Sequence, residues 1–423
     1  MKRIFAVMAV LAAMALAMPV MAADAPGYGV VVGGRISADA GWQIKSGDYS
    51  PQNNTEDTLV NFFTGVQGIS YLRATFNSSD KTTGARIEIG MWGRANADNT
   101  GNDTENGLVL RLAYGWWKVG SCTLTIGQAW GRLGGGAEVG QNLGRTKRSS
   151  GDLQGYGFVG ATRSPRIALA AAVNDFFGFD VSISQAGAER SANQLAFSPT
   201  GVPNQGVYIG DGSTQNYLPK LEVVLDFSFN GFKISPGAGI AYQKWEFDLG
   251  ANNNDDSVLS YLLLLPVKYE QGPFYAVLSA FYGQNISTDW SGENSVSDGF
   301  FNSVANDFGG TRLALPSWGL NGEIEDTTIW GLGLGFGYSV TDKLTLKIGG
   351  GFSHLNNDAW ELVAGGEDSF TRWAAFIGAP YQVTSNFIIQ PEITYYNYGD
   401  VVGVRDIDAG SEWLLGVYFQ FLF

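Results

Sequence analysis

Apolar residues recur at every second position over much of this chain, as they do where an extended backbone separates two environments. Between Trp330 and Tyr338, the side chains of Trp330, Leu332, Leu334, Phe336 and Tyr338 alternate with Gly331, Gly333, Gly335 and Gly337. The last segment places Trp413, Leu415, Val417, Phe419, Phe421 and Phe423 on one face and Glu412, Gly416, Tyr418 and Gln420 on the other. Leu221, Val223, Leu225 and Phe227 oppose Lys220, Glu222, Asp226 and Ser228, and Leu344, Leu346 and Ile348 oppose Lys343, Thr345 and Lys347. Each such segment predicts a strand with one greasy face and one polar or bare face.

A soluble sandwich would alternate in the same way, so the connections decide. Short ones fall at Asn77 to Gly84, Val119 to Ser121, Asn174 to Gly178, Asn230-Gly231, Gln271-Gly272, Thr341-Asp342 and Pro380 to Ser385. Long ones occupy Ser46 to Gly65, Asn96 to Asn106, Gly131 to Leu153, Gln185 to Asn216, Leu249 to Asp256, Gln284 to Asp326, Asn356 to Glu367 and Gly399 to Gly410. The two kinds alternate strictly, with seven short and eight long connections joining sixteen strands. This asymmetry predicts an all-β fold, a 16-stranded antiparallel transmembrane β-barrel with short periplasmic turns and long extracellular loops. Closure leaves no sheet edge in lipid, and a barrel of this strand number is too wide for its own side chains to fill. The expectation is a water-filled lumen.

Aromatic residues agree with a membrane wall, since Trp and Tyr favour headgroup depth. Trp42, Trp116, Tyr261, Tyr269, Tyr282, Trp330, Tyr338, Trp373, Tyr395 and Trp413 all take outward parity near predicted strand ends.

Composition narrows the chemistry. The 423 residues include 26 basic and 40 acidic side chains, for a net charge of -14, with one Cys and one His. One cysteine allows no internal disulfide and no cysteine-based zinc site, so no metal and no cofactor is implied. The acidic balance argues against a nucleic-acid partner. Residues 1–22 open with Lys2-Arg3, continue with an apolar run from Ile4 to Ala17 and end in Met18-Pro19-Val20-Met21-Ala22, which is a secretory signal pattern with cleavage after Ala22 or Ala23. Residues 23–423 then form the barrel. Removing Lys2 and Arg3 leaves 24 basic against 40 acidic residues, a mature charge of -16. No stretch of about 20 consecutive apolar residues follows to make a spanning helix.

Parity also assigns the inward charges. Arg35, Arg73, Arg86, Arg94 and Arg111 fall on the lumen side of the first four strands, accompanied by Asp39 and Glu88, which makes one wall basic. Arg166, Lys220, Lys233, Lys268, Lys343, Lys347 and Arg372 face inward elsewhere against Asp180, Glu222, Asp226, Glu392 and Glu412. The excess acid then lies in the loops, for example at Asp98, Asp103, Glu105, Asp255 and Asp256.

Ser121-Cys122-Thr123-Leu124-Thr125-Ile126-Gly127-Gln128 and the Gly-rich run after it resemble the fifth strand and loop three of the general trimeric porins of bacterial outer membranes. Ser164-Pro165-Arg166, a strand, and Phe177-Gly178-Phe179 look like that family's sixth and seventh strands. Phe423, with Tyr418 and Phe421 before it, is similar to the C-terminal signal read by the barrel-assembly machinery. The resemblance implies a homotrimer in outer-membrane lipid, passing small hydrophilic solutes and ions by passive diffusion. It implies that loop three, Gly131 to Leu153, folds inward and narrows the pore, and that it faces a ladder of Arg35, Arg73 and Arg111, extended by Arg86 and Arg94 beside Asp39 and Glu88. On the loop, Arg132, Glu138 and Arg145 would line the constriction. Family loops often carry several carboxylates, whereas this one has Glu138 and Asp152 beside Arg132, Arg145, Lys147 and Arg148. A basic constriction predicts mild anion preference.

Other readings have less behind them. A hydrolase would need His354 as its base, and the neighbouring Ser353 points to the opposite face of a strand. Inward Trp92, Trp117, Tyr275 and Phe281 keep open a substrate-specific channel for a sugar or anion, and the long loops a structural or partner-binding barrel. The run Asn252 to Asp256 lacks the spacing of a recognised calcium loop.

Overall fold

A computed structural model describes residues 28–46, 58–93, 106–134, 139–145, 152–186, 195–196, 207–208, 213–215, 218–248, 253–286, 290, 317–318, 324–357, 368–399 and 410–423. The sixteen wall strands, all antiparallel to their neighbours, are β1 (Tyr28–Ser46), β2 (Leu59–Val66 continued by Tyr71–Ser78), β3 (Thr83–Gly93), β4 (Asn106–Val119), β5 (Cys122–Trp130), β6 (Arg163–Ala172), β7 (Phe177–Ser184), β8 (Lys220–Phe229), β9 (Phe232–Ile234 continued by Gly237–Asp248), β10 (Asn253–Gln271), β11 (Phe274–Gln284), β12 (Thr328–Ser339), β13 (Thr345–Asn356), β14 (Ser369–Gly378 continued by Tyr381–Thr384), β15 (Phe387–Asn397) and β16 (Ser411–Leu422). Closure is complete, because β1 pairs with β16 from Arg35↔Leu422 to Ser46↔Ser411 and with both pieces of β2 on its other side. The backbone N–H of Gly34 donates to the Phe423 carbonyl at 2.8 Å, extending the seam to the last residue.

Outward parity holds nearly everywhere. Trp42, Tyr282, Trp330, Tyr338, Trp373 and Trp413 are exposed on the outer face, as are aliphatic residues such as Leu263, Leu334 and Ile377. The exception lies in β4. Glu88 pairs with Leu112 and Ile89 with Leu110, so Arg111 is an extra residue that bulges from the ladder. A bulge shifts the parity of everything beyond it by one. Trp116, expected outside, therefore stands on the lumen face beside Tyr114, 5.9 Å between ring centroids, and Trp117, expected inside, is exposed outside.

Two predicted loops are shorter than expected. Val60, Phe62, Thr64 and Val66 extend β2 back to Leu59, and Asn253 to Asp256 pair with Asp248 to Trp245 as the start of β10. The third loop is longer. It ends at Thr162 rather than Leu153, because Gly155 and Gly157 take φ of +84° and +86° and bend the chain where Tyr156, Phe158 and Val159 mimic a strand.

That loop folds into the barrel, and the interior is not uniformly wet. Leu133, Val139, Leu143, Leu153, Tyr156, Phe158 and Val159 of the loop form one buried apolar cluster with Val277, Phe281, Phe376, Tyr396 and Leu414 of the wall. The bare inward faces make room for it. A Cβ on Gly333 would lie 2.2 Å from the Phe158 ring, one on Gly335 2.7 Å from Val139, and one on Gly239 2.6 Å from Leu133. Trp290, from the connection after β11, packs into the same interior and is fully buried. Wall side chains alone do not fill a barrel of this width, and here a loop fills part of it. The inner faces of Tyr71–Ser78 and β3 to β5 remain largely half-buried, so the accessible lumen lies against those strands.

Candidate functional site: a basic wall facing an anchored loop

The break in β2 at 67–70 organises the wall. A continuous strand would commit the carbonyls of Gly68 and Ile69 to its neighbours, but the break turns them to guanidiniums. Arg111 Nη1 donates to Gly68 at 2.7 Å, and Arg35 donates to Ile69 through Nε at 3.2 Å and Nη2 at 2.9 Å. Ser70 Oγ accepts the backbone N–H of Ser37 at 2.9 Å and fixes the break to β1.

Tyr71 follows the break and stands among three arginines. Its ring centroid is 4.6 Å from the Arg73 guanidinium carbon, 5.1 Å from that of Arg35 and 5.7 Å from that of Arg111. Arg73 also donates to the Tyr71 hydroxyl. Glu88 lies between two of these bases, 2.8 Å from Arg111 and 3.4 Å from Arg73. Lower on the wall, Arg86 donates to Thr75 Oγ1 at 3.3 Å and lies 5.9 Å from the Tyr114 ring. Two of the four guanidiniums thus share the Glu88 carboxylate, and among the described residues Arg35 and Arg86 make no ion pair with an acid. Such a wall carries net positive potential into the lumen.

Asp39 takes part in holding the loop. Its Oδ2 accepts the Gly144 N–H at 2.8 Å and the Gln67 amide at 2.9 Å. Glu392 on β15 does the same from the other side. Its carboxylate accepts the backbone N–H groups of Asn142 at 2.9 Å and Leu143 at 3.0 Å, and side-chain donors from Gln141, Gln390 and Thr394. Tyr275 adds a bond to the Val139 carbonyl at 3.0 Å.

The remaining candidates disperse. Arg145 pairs within the loop to Asp152 at 2.7 Å and acts electrostatically on Arg35. Arg132 reaches toward the turns and pairs with Asp226 at 2.6 Å, away from the arginine ladder. Arg94 and Glu138 lie outside the described residues, as does the side chain of Trp92. Tyr418 faces inward and bonds Ser37 Oγ at 3.1 Å, whereas Phe421 and Phe423 face outward. His354 Nδ1 meets Thr371 Oγ1 at 2.9 Å on the outer face, and Ser353 accepts the Gly157 N–H at 3.0 Å on the inner one. The described residues include no group of three or more His, Cys, Asp or Glu side chains placed to hold a metal. Sequence reasoning missed Tyr71, although it stands directly across from Arg35 in the β1 to β2 pairing and two residues before Arg73.

No protein-family model matches this chain, and no curated protein matches it in sequence. Solved structures do match over nearly its whole length. The outer membrane channel DcaP of Acinetobacter baumannii aligns with a TM-score of 0.65 at 14% identity, covering 94% of this chain and 98% of that one. The fold is that of an outer-membrane porin. An anion-selective porin from Comamonas acidovorans aligns at 0.52 and 10% identity over 94% of this chain and all of its own. The outer membrane protein OmpT of Vibrio cholerae, in a trimer form, aligns at 0.50 and 11% identity over 94% of this chain and all of its own. A porin barrel of this kind leaves chemistry to what lines the lumen, here arginines and tyrosines on one side and an anchored loop on the other.

Proposed function

We propose that this chain is an outer-membrane diffusion channel through which small hydrophilic solutes and ions pass in water, between loop three and the basic wall, with a mild preference for anions. The observation that carries the reading is the arginine ladder of Arg35, Arg73, Arg86 and Arg111 with the single carboxylate of Glu88, set on the half-open side of a lumen whose other side is packed by loop three. Charged rings at a narrowing bias ions by sign, and size excludes larger solutes. Salt screens the bias within about 8 to 10 Å at physiological ionic strength, so it acts only at close approach. The likeness to a porin described as anion-selective and to a trimeric outer membrane protein supports this reading and a homotrimer.

On this reading residues 1–22 are removed on export, the outward aromatics contact lipid, and Phe421 and Phe423 present the C-terminal strand to the assembly machinery. Planar-bilayer recording in a tenfold salt gradient tests it. Wild-type protein should close in three equal steps with a reversal potential of anionic sign, and Arg73→Glu combined with Arg86→Glu should move that potential toward cations. A single large step counts against the trimer, and a potential that does not respond to the double variant removes the ladder from the mechanism.

The substrate-specific alternative rests on Tyr71, Tyr114 and Trp116, which line the same wall as the arginines. Flux of uncharged sugars of graded size into liposomes separates the two, since a general pore ranks them by size alone.

A further inference from the structure

The turn-side end of the barrel holds a cavity of about 540 Å3, within the range of small-molecule sites. It arises because the inward positions of adjoining strands are small: Ala170 and Ala172 on β6 and Gly178 on β7. Asp180 opens into this space. In the cross-strand row its neighbours are Ala170 and Val224, and neither side chain can hydrogen-bond it. Asp180 is only 8% exposed, and among the described residues its carboxylate accepts no hydrogen bond and lies in no ion pair. Of the bases near it, Arg132 pairs with Asp226 at 2.6 Å and Arg166 with Glu222, each acting on Asp180 only through space, and Lys233 stands exposed at the cavity's rim. A carboxylate this enclosed requires a partner, since burying a charge unpaired is costly. The cavity wall also offers hydroxyls at Thr123 and Ser228.

We propose that this cavity is a binding subsite for small organic cations bearing a primary ammonium and hydroxyl groups, with Asp180 receiving the ammonium and the hydroxyls of Thr123 and Ser228 the polar remainder. The subsite lies apart from the arginine ladder and has the opposite preference. It does not depend on the channel reading, because occupancy can be measured without conduction.

The test is calorimetric titration of glucosamine onto the full-length, detergent-solubilised protein, with N-acetylglucosamine as the uncharged counterpart. Wild type should bind glucosamine and not the acetylated sugar, and Asp180→Asn should weaken binding about tenfold or more, the expected loss of one charge-assisted hydrogen bond. Ala170→Leu, which fills the cavity and leaves the charge, should weaken it similarly. Each variant is compared at equal folded fraction by its heat-modifiable gel mobility. Equal affinity of Asp180→Asn and wild type, or equal binding of both sugars, overturns the proposal. A protein that binds glucosamine as described but forms no conducting pores keeps the subsite and loses the channel reading; a conducting protein indifferent to glucosamine does the reverse.

Discussion

The ring of Phe158 occupies the space where a side chain on Gly333 would begin, 2.2 Å from the position its Cβ would take. Loop three therefore rests on the wall only because β12 presents glycine inward. Gly333→Val should cost about 1–3 kcal/mol by overpacking and should lift the loop toward the basic wall. Single-channel conductance then falls or becomes unsteady, while the sixteen-stranded wall stays intact by circular dichroism.

Glu392 is the larger of the two carboxylate anchors, with two backbone N–H groups of the loop directed at it. Glu392→Gln keeps the shape and removes the charge, which should weaken the loop's attachment by about 1–3 kcal/mol. The expected readout is more frequent closure in bilayer recordings. Unchanged gating statistics would show that the apolar cluster alone holds the loop.

The bulge at Arg111 makes an accessibility prediction for adjacent residues. In a Cys122→Ser background, Trp116→Cys should react with a charged, water-soluble thiol reagent and Trp117→Cys should not, since one faces water and the other the outer surface. Reversal of that order would restore unbroken alternation along β4.

The first short turn holds a carboxylate out of its ordinary range. Asp80 accepts hydrogen bonds from Ser78 Oγ at 2.6 Å, from the Thr82 N–H at 3.1 Å and from Thr82 Oγ1 at 2.8 Å, and these donors lower its pKa to about 2. A folded-state pKa below the unfolded one stabilises the turn above the ordinary carboxylate range, and that stabilisation is lost as pH falls through about 2. The Asp80 carboxyl should therefore remain ionised at pH 3 by NMR titration, and its pKa should rise toward the ordinary carboxylate range in a Ser78→Ala, Thr82→Ala double variant, which keeps only the backbone donor of residue 82.

Strand number, strand faces and most of the ladder are legible in the sequence because alternation is a local property. Arg35, Arg73 and Arg86 could be placed inward from their immediate neighbours alone. Arg111 also reads correctly, but the residues beyond it do not: a bulge is set by pairing with β3, which one strand's pattern does not reveal. The extent of loop three is hidden for a related reason, as Tyr156 and Phe158 alternate like a strand while Gly155 and Gly157 turn the chain. Gly333 and Gly335 of β12 read as an open face, and the loop residues that cover them, Phe158 and Val139, lie more than 170 residues away in sequence. Tertiary packing of that kind leaves no trace in periodicity.

The two carboxylates that grip loop three come from opposite sides of the closing seam, Asp39 from β1 and Glu392 from β15, with β16 between them. Both can grip the loop at once only in a ring whose first and last ribbons are joined. The loop thus lies as a strap across the seam, fastened to a strand on either side of it.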